Sequence, residues 1–183
     1  MLILASQSPR RRQILQDAGI EFVARAPQVQ EFRLKNEGAV EYVRRLAEEK
    51  ASAVDLAPGE IALGADTVVV LDDHILEKPH DKADARRMLE LLSGREHAVI
   101  TGVCLRSASR TVVESVSTKV RFVMLTLQEI SAYVASGEPL DKAGAYAIQG
   151  LASKFIDRVE GCYFNVVGLP VALVYKYLKE FPP

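Results

Sequence analysis

"IALGADTVVVL", Ile61 to Leu71, is an almost unbroken apolar run with one carboxylate at its centre. It is short, rich in valine, and bounded by Pro58-Gly59 before it and Asp72-Asp73 after it, so it reads as a buried β-strand. Asp66 is the anomaly. An ionised carboxylate in such surroundings is costly unless it is paired or bound to a metal. Strand alternation puts Gly64, Asp66, Val68 and Val70 on one face and Leu63, Ala65, Thr67 and Val69 on the other. The small residues around Asp66 are expected to leave room for a ligand. Two readings stand side by side: a structural aspartate that caps a helix or pairs with an arginine, and a catalytic base or metal ligand.

The chain before this strand opens on a short apolar strand, Leu2 to Ala5, and a Ser/Pro turn. A first helix is expected from about Pro9 to Ala18, with Ser8 as N-cap and Gly19 at its end. A second covers about Gly38 to Val54, with Val43, Leu46, Ala47, Ala51 and Val54 inward. Lys50 shares that inward face, an unusual place for a lysine. After the strand, "LDDHIL" turns into a short return strand ending at "EKP". A third helix runs from about Ala83 to Leu92 on a stripe of Ala85, Met88, Leu89 and Leu92.

Two β-rich runs follow, "HAVITGVCLRS" and "RTVVESVSTKVRFVML", joined as a hairpin through Ala108-Ser109. Thr126 opens a helix with Glu129 three residues on, a capping box, and that helix stops at Gly137. "EPLDKAGAYAIQG" reads as a polar Gly-rich loop. Strands are expected around "SKFIDRV" and "CYFNVVG", and Pro170 begins a last helix from Val171 to about Leu178. The pattern is mixed α/β with antiparallel neighbours in the middle, not a regular βαβ alternation.

The 183 residues are 49% hydrophobic and 26% charged, which suits one core. Net charge is −1, so the global basic field of a nucleic-acid binder is absent. No apolar run approaches the roughly 20 residues of a membrane span. The N-terminus lacks the pattern of a signal peptide. Cys104 and Cys162 show no metal spacing and are expected as reduced thiols, which points to a cytoplasmic protein.

"LASQSPRRRQIL", Leu4 to Leu15, places Arg10, Arg11 and Arg12 in the first helical turn. Cations are unfavourable there by roughly 0.3–1 kcal/mol each. A strand, a turn, a capped helix N-terminus and local arginines together make an anion site. The Gly-rich spacing of a P-loop or dinucleotide fingerprint is missing. Arg11 extends the stripe of Ile14, Leu15 and Ala18, so it should point along the packed face, while Arg12 and Gln13 fall off it. Lys78 in "EKP", Lys142 in "LDKAG" and Glu31 in "QVQEF" lie in non-helical connections. Oxygen ligands such as Asp66 and Glu31 suit Mg²⁺ or Mn²⁺ better than zinc. A phosphorylated substrate carrying such a cation would account for both anomalies.

These residues resemble the Maf family of nucleoside triphosphate pyrophosphatases over nearly the whole chain. The matching segments are "LASQSPRRRQIL", "LAEEKA", "LGADTVVV", "EKP", "LSGREH", "TGV", "STKVRF", "YVASGEPLDKAGAYAIQG" and "VVGLPV". The resemblance implies an inosine-triphosphatase-like α/β fold: a mixed sheet with helices, in a single domain, 1–183, of two lobes around a central cleft. It implies hydrolysis of a nucleoside triphosphate to the monophosphate and pyrophosphate with a divalent cation, Mg²⁺ or Mn²⁺, and a homodimer.

The family's catalytic acid aligns with Asp66, and its phosphate-binding serine and arginines with Ser6, Arg10 and Arg11. Further polar site residues align with Glu31, Lys50 and Lys78, with the metal expected on Asp66 and Glu31. Arg10, Thr67 and Gln149 match the branch acting on dTTP and UTP, and modified pyrimidine nucleotides belong to the same chemistry. The alternative is a non-catalytic nucleotide-binding regulator of cell division that acts through a protein partner. Such a protein would keep a phosphate clamp without needing Asp66 in an apolar strand.

Overall fold

Leu2–Ala5 (β1) is buried at every position and is paired in parallel on both sides. One neighbour is Phe22–Arg25 (β2), in register Leu2 to Phe22 through Ala5 to Arg25. The other is Ile61–Leu71 (β3), in register Leu2 to Ile61 through Ala5 to Gly64. Pro9–Asp17 (α1) connects β1 to β2, and Ala39–Ser52 (α2) connects β2 to β3. These two crossovers run in opposite directions along the sheet. Right-handed connection therefore puts α1 and α2 on opposite faces, and the strand order reverses beside β1. In such sheets ligands gather beyond the carboxyl ends of the strands at the reversal. Ser6 follows the carboxyl end of β1, and Asp66 stands in the middle of β3, two residues beyond the last position paired with β1.

The protein is described here from a computed structural model that covers residues 1–181; the last two positions of the expected 1–183 domain lie outside the described residues. Its sheet has seven strands in the order β2-β1-β3-β5-β6-β7, with His74–Leu76 (β4) paired antiparallel to β3. Glu96–Arg106 (β5) and Thr111–Phe122 (β6) form the expected middle pair, and Ile156–Glu160 (β7) pairs antiparallel with β6. The remaining helices are Lys82–Leu92 (α3), Leu127–Ala135 (α4), Tyr163–Val167 (α5) and Val171–Leu178 (α6). No helix among the described residues is long and apolar enough to cross a membrane.

The chain divides into two compact units. The first comprises residues 1–67, 101–116 and the C-terminal segment from Gly168. Its core packs Ile3 and Ala5 of β1 against Ala47 and Ala51 of α2, with Val54, Ala62 and Cys104. Two glycines let α2 approach the sheet closely. A β-carbon on Gly64 would overlap the Ala47 carbonyl, and one on Gly102 would overlap the Val43 carbonyl. This corrects the expectation that small residues beside Asp66 leave space for a ligand: the space at Gly64 is filled by helix backbone.

The second unit comprises 68–100 and 117–167. Its core gathers Val69, Leu71 and Leu76 with the apolar stripe of α3, and adds Phe122, Tyr133, Tyr146 and Phe155. The α3 stripe is the expected one, and the Thr126–Glu129 capping box forms as read.

Four readings of the sequence change. Phe22–Arg25, four residues without a long apolar run, is a strand that the sequence reading missed. "CYFNVVG" holds the short helix α5 in place of a strand. Aromatic and β-branched composition favours a strand there, but tertiary bonds override it. Asn165 is fully buried and donates through Nδ2 to Val99 O (2.9 Å) and Thr118 Oγ1 (3.1 Å). The "SKF" part of "SKFIDRV" lies in a 3-10 turn, Leu151–Phe155, and the expected loop after Gly137 contains two more, Glu138–Asp141 and Ala143–Ala145.

Candidate active site

Ser8 caps α1 by accepting from Arg11 N (3.4 Å), and Pro9 fills the first helical position. Ser6 Oγ accepts from Ser8 N at 3.1 Å. The Arg11 side chain turns back along the packed face, as its place on the stripe requires. Its Nε donates to Gly168 O (2.9 Å), Nη1 to Ser6 Oγ (3.4 Å) and Nη2 to Thr67 Oγ1 (3.1 Å). Thr67 in turn shares a hydrogen bond with buried Thr101 Oγ1 at 2.9 Å. Removal from water lowers the pKa of Arg11, while Asp66 and Glu31 act in the opposite sense. This cation at a helix N-terminus is thus held by neutral acceptors and by the field of two carboxylates. Arg12 and Gln13 are exposed, and Arg10 is half-buried at the start of the same turn.

On the α2 face, Lys50 is 5% exposed and Asp66 is 8% exposed. Lys50 Nζ lies 2.6 Å from Asp66 Oδ1 and 2.6 Å from Glu31 Oε1. The close packing of Gly64 on the Ala47 turn is what carries Lys50 to this depth. Asp66 is therefore paired, as a buried charge must be, with a lysine and not with an arginine. Burial raises its pKa above the ordinary carboxylate value, and Lys50 and Arg11 offset part of that rise. A carboxylate so placed is poised for proton transfer.

The segment that carries Glu31 is itself clamped. Arg45 donates to Phe32 O at 2.9 Å and forms a two-pronged pair with Glu37, whose Oε2 also accepts from Leu34 N. Asp66 and Glu31 bring two carboxylate oxygens to one positive charge, the kind of hard donors that a divalent cation would take. No cluster of three or more His, Cys, Asp or Glu side chains arranged for a metal occurs among the described residues.

Ser6, Arg10, Arg11, Glu31, Lys50, Asp66 and Thr67 all belong to the first unit. Lys78 and Gln149 belong to the second, and both are exposed: Lys78 between β4 and α3, Gln149 in a turn before the last 3-10 segment. Lys142 donates to Glu138 O (2.8 Å) and pairs with Asp141. Sequence reasoning missed Thr101 and the Gly168 carbonyl as supports of Arg11. A buried threonine inside the apolar run "VITGV" is the signal that could have found the first. A backbone acceptor leaves no such mark.

Residues 1–181 match the Maf-like protein family. A dTTP/UTP pyrophosphatase of Koribacter versatilis is 48% identical over 180 residues, covering 98% of this chain and 93% of that one. The dTTP/UTP pyrophosphatase of Salmonella typhimurium is 50% identical over 182 residues, covering 98% and 92%. Among solved structures, a HAM1 protein from Coxiella burnetii superposes with a TM-score of 0.53 at 15% identity over 98% of both chains. The Staphylococcus aureus Ham1 protein does so at 0.52 and 11%, again over 98% of both. These two likenesses establish the fold, and the full-length match establishes the lineage: the chain belongs to the Maf-like protein family.

Proposed function

We propose that this protein is a nucleoside triphosphate pyrophosphatase that hydrolyses dTTP and UTP, and related modified pyrimidine nucleotides, to the monophosphate and pyrophosphate. The observation that carries the reading is the buried Lys50–Asp66 pair, with Glu31 on the same ammonium, beside the Arg11 end of α1. It unites a carboxylate of raised pKa with two cations, Lys50 and Arg11, where the strand order reverses. The near-50% relatives that bear the name dTTP/UTP pyrophosphatase support the substrate class. They do not favour the non-catalytic regulator.

In this reading Lys50 holds Asp66 Oδ1 and leaves Oδ2 to receive a proton from a water molecule. That water attacks the α-phosphorus in line. Its oxygen forms the new bond to phosphorus as the bond to the bridging oxygen breaks, and pyrophosphate departs with the electron pair. Ser6, Arg10 and Arg11 bind the phosphate chain, and Lys50 and Lys78 add charge against that developing on the leaving group. A divalent cation, Mg²⁺ or Mn²⁺, held by Asp66 and Glu31 would acidify the water and offset phosphate charge. Gln149 reads the pyrimidine: its amide accepts from the N3–H of uracil or thymine and donates to a neighbouring carbonyl.

The test is a panel of nucleoside triphosphates incubated with Mg²⁺ and scored for pyrophosphate against orthophosphate. Pyrophosphate release that is fastest with dTTP and UTP is expected. Orthophosphate as the first product, or no turnover of any nucleotide, overturns the reading.

A further inference from the structure

The second unit contains a polar clasp that the chemistry above does not use. Gly150 N donates to Ala147 O at 3.1 Å, closing a four-residue turn, Ala147 to Gly150, with Gln149 at its third position. Both ends of that turn are held by one pair of side chains. Tyr133 Oη accepts from Ala147 N (3.3 Å), and Glu138 Oε2 accepts from Leu151 N (3.1 Å). The pair is joined internally, since Tyr133 Oη donates to Glu138 Oε1 at 2.9 Å.

Gly150 completes the fit, because a β-carbon there would overlap the Glu138 carboxylate. The glycine thus makes room for a side chain of the same unit. Glu138 is anchored in its own right: its N–H donates to Ser136 Oγ (3.2 Å) and its carbonyl accepts from Lys142 Nζ (2.8 Å).

We infer that Glu138, acting with Tyr133, is the positioning residue that sets the Gln149 turn for pyrimidine selection. The inference rests on the reading of Gln149 as the base-selecting group. Gln149 is exposed, so packing does little to fix the direction in which its amide is presented. A two-point hydrogen bond to a base edge tolerates little misplacement, and such groups need a rigid support. The clasp supplies it by fixing the backbone on both sides of the residue. Glu138 touches neither phosphate nor base in this scheme.

The test compares kcat/KM for UTP, CTP and GTP in the full chain and in Glu138→Ala, Glu138→Gln, Gly150→Ala, Gln149→Leu and the Glu138→Ala/Gln149→Leu double variant. Glu138→Ala should lower the UTP-to-CTP ratio about tenfold, mainly through KM for UTP. Glu138→Gln keeps an acceptor for Leu151 N and should restore the ratio to within about threefold. Gly150→Ala leaves both side chains in place but displaces the carboxylate, so it should match Glu138→Ala; it also keeps the test alive should the latter fail to fold. The double variant should select no worse than Gln149→Leu alone.

Equal losses on UTP and CTP, an unchanged ratio, or multiplying effects in the double variant overturn the inference. If Gln149→Leu lowers the ratio and Glu138→Ala does not, only the positioning role falls. If Gln149→Leu leaves the ratio unchanged, the base-reading role falls first and takes the positioning role with it.

Discussion

Lys50 Nζ and Asp66 Oδ1 meet at 2.6 Å inside the first unit, and Glu31 reaches the same ammonium from an exposed connection. Two carboxylates on one buried lysine leave the cluster net negative before Arg11 is counted. Arg11 supplies the fourth charge without a direct ion pair, because its guanidinium is bound to Gly168 O, Ser6 and Thr67. The strand contributes to both faces through adjacent residues: Asp66 towards the Lys50 helix and Thr67 towards Arg11.

Asp66→Asn removes the proton acceptor and keeps the size. Activity should fall by about 10²-fold or more, since general base catalysis contributes roughly 10²–10⁴-fold. The stability effect has a definite sign. The folded-state pKa is raised, so the native protein binds this proton more tightly than the unfolded chain. Ionisation above the unfolded value therefore costs stability as pH rises through the folded pKa. At neutral pH the Asn variant should melt no lower than the parent, with Lys50 still paired to Glu31. The acid limb of kcat/KM against pH in the parent should lie above the ordinary carboxylate range. Near-normal turnover in a folded Asn variant removes Asp66 from the base role.

Gly64→Ala should be among the most damaging single-methyl changes in the chain. The new carbon would overlap the Ala47 carbonyl and crowd Ala51 N at 2.7 Å, both backbone atoms that cannot rotate away. Overpacking costs typically 1–3 kcal/mol, and rigid neighbours put this site at about 3 kcal/mol or beyond. Because α2 also carries Lys50, activity should fall further than stability alone explains. Thermal melting with parallel kinetics at low temperature separates the two losses. Wild-type melting would show that α2 does not rest on Gly64.

Arg11→Lys keeps the charge but cannot reproduce three hydrogen bonds in fixed directions. It should recover little of the activity lost in Arg11→Ala. Thr67→Val, which removes the acceptor for Nη2, should weaken nucleotide hydrolysis in the same direction and by less. The two effects should not add, because they act through one contact. Full rescue by lysine would reduce Arg11 to a simple point charge.

Much of this was legible in the sequence because local signals and global packing agree. Ser8-Pro9, the Thr126–Glu129 box, Gly137 and the α3 stripe each state an element boundary in a few residues. Asp66 and inward Lys50 stood out as polar residues in apolar patterns, and they prove to be partners. Less visible was anything fixed by contacts distant in sequence. Asn165 turns "CYFNVVG" into a helix by bonding to Val99 and Thr118. Gly64 reads as open space and Gly150 as part of a loop, yet each is closed by a neighbour remote in the chain. Their side-chain-free positions record a close approach, but composition does not say by what.

His97 gives a prediction about acid stability. It is 3% exposed, shares a hydrogen bond through Nε2 with Tyr146 Oη at 2.8 Å, and packs edge-on against Phe122. Burial pushes its pKa down to about 4 from 6.5. The unfolded chain therefore takes up the proton first as pH falls. Stability is fully present above about pH 6.5 and is lost progressively towards pH 4, by about 3 kcal/mol from this group alone. His97→Gln keeps a donor and an acceptor near Tyr146 without a titrating ring. It should be less stable than the parent at pH 7, because an aromatic contact and packed volume are lost. Its melting temperature should nevertheless fall less between pH 6.5 and 4. Melting curves of both proteins across that range decide the matter, with the carboxylates common to the two acting as the internal reference. Parallel curves would mean that His97 takes up its proton as readily in the folded state as in the unfolded chain.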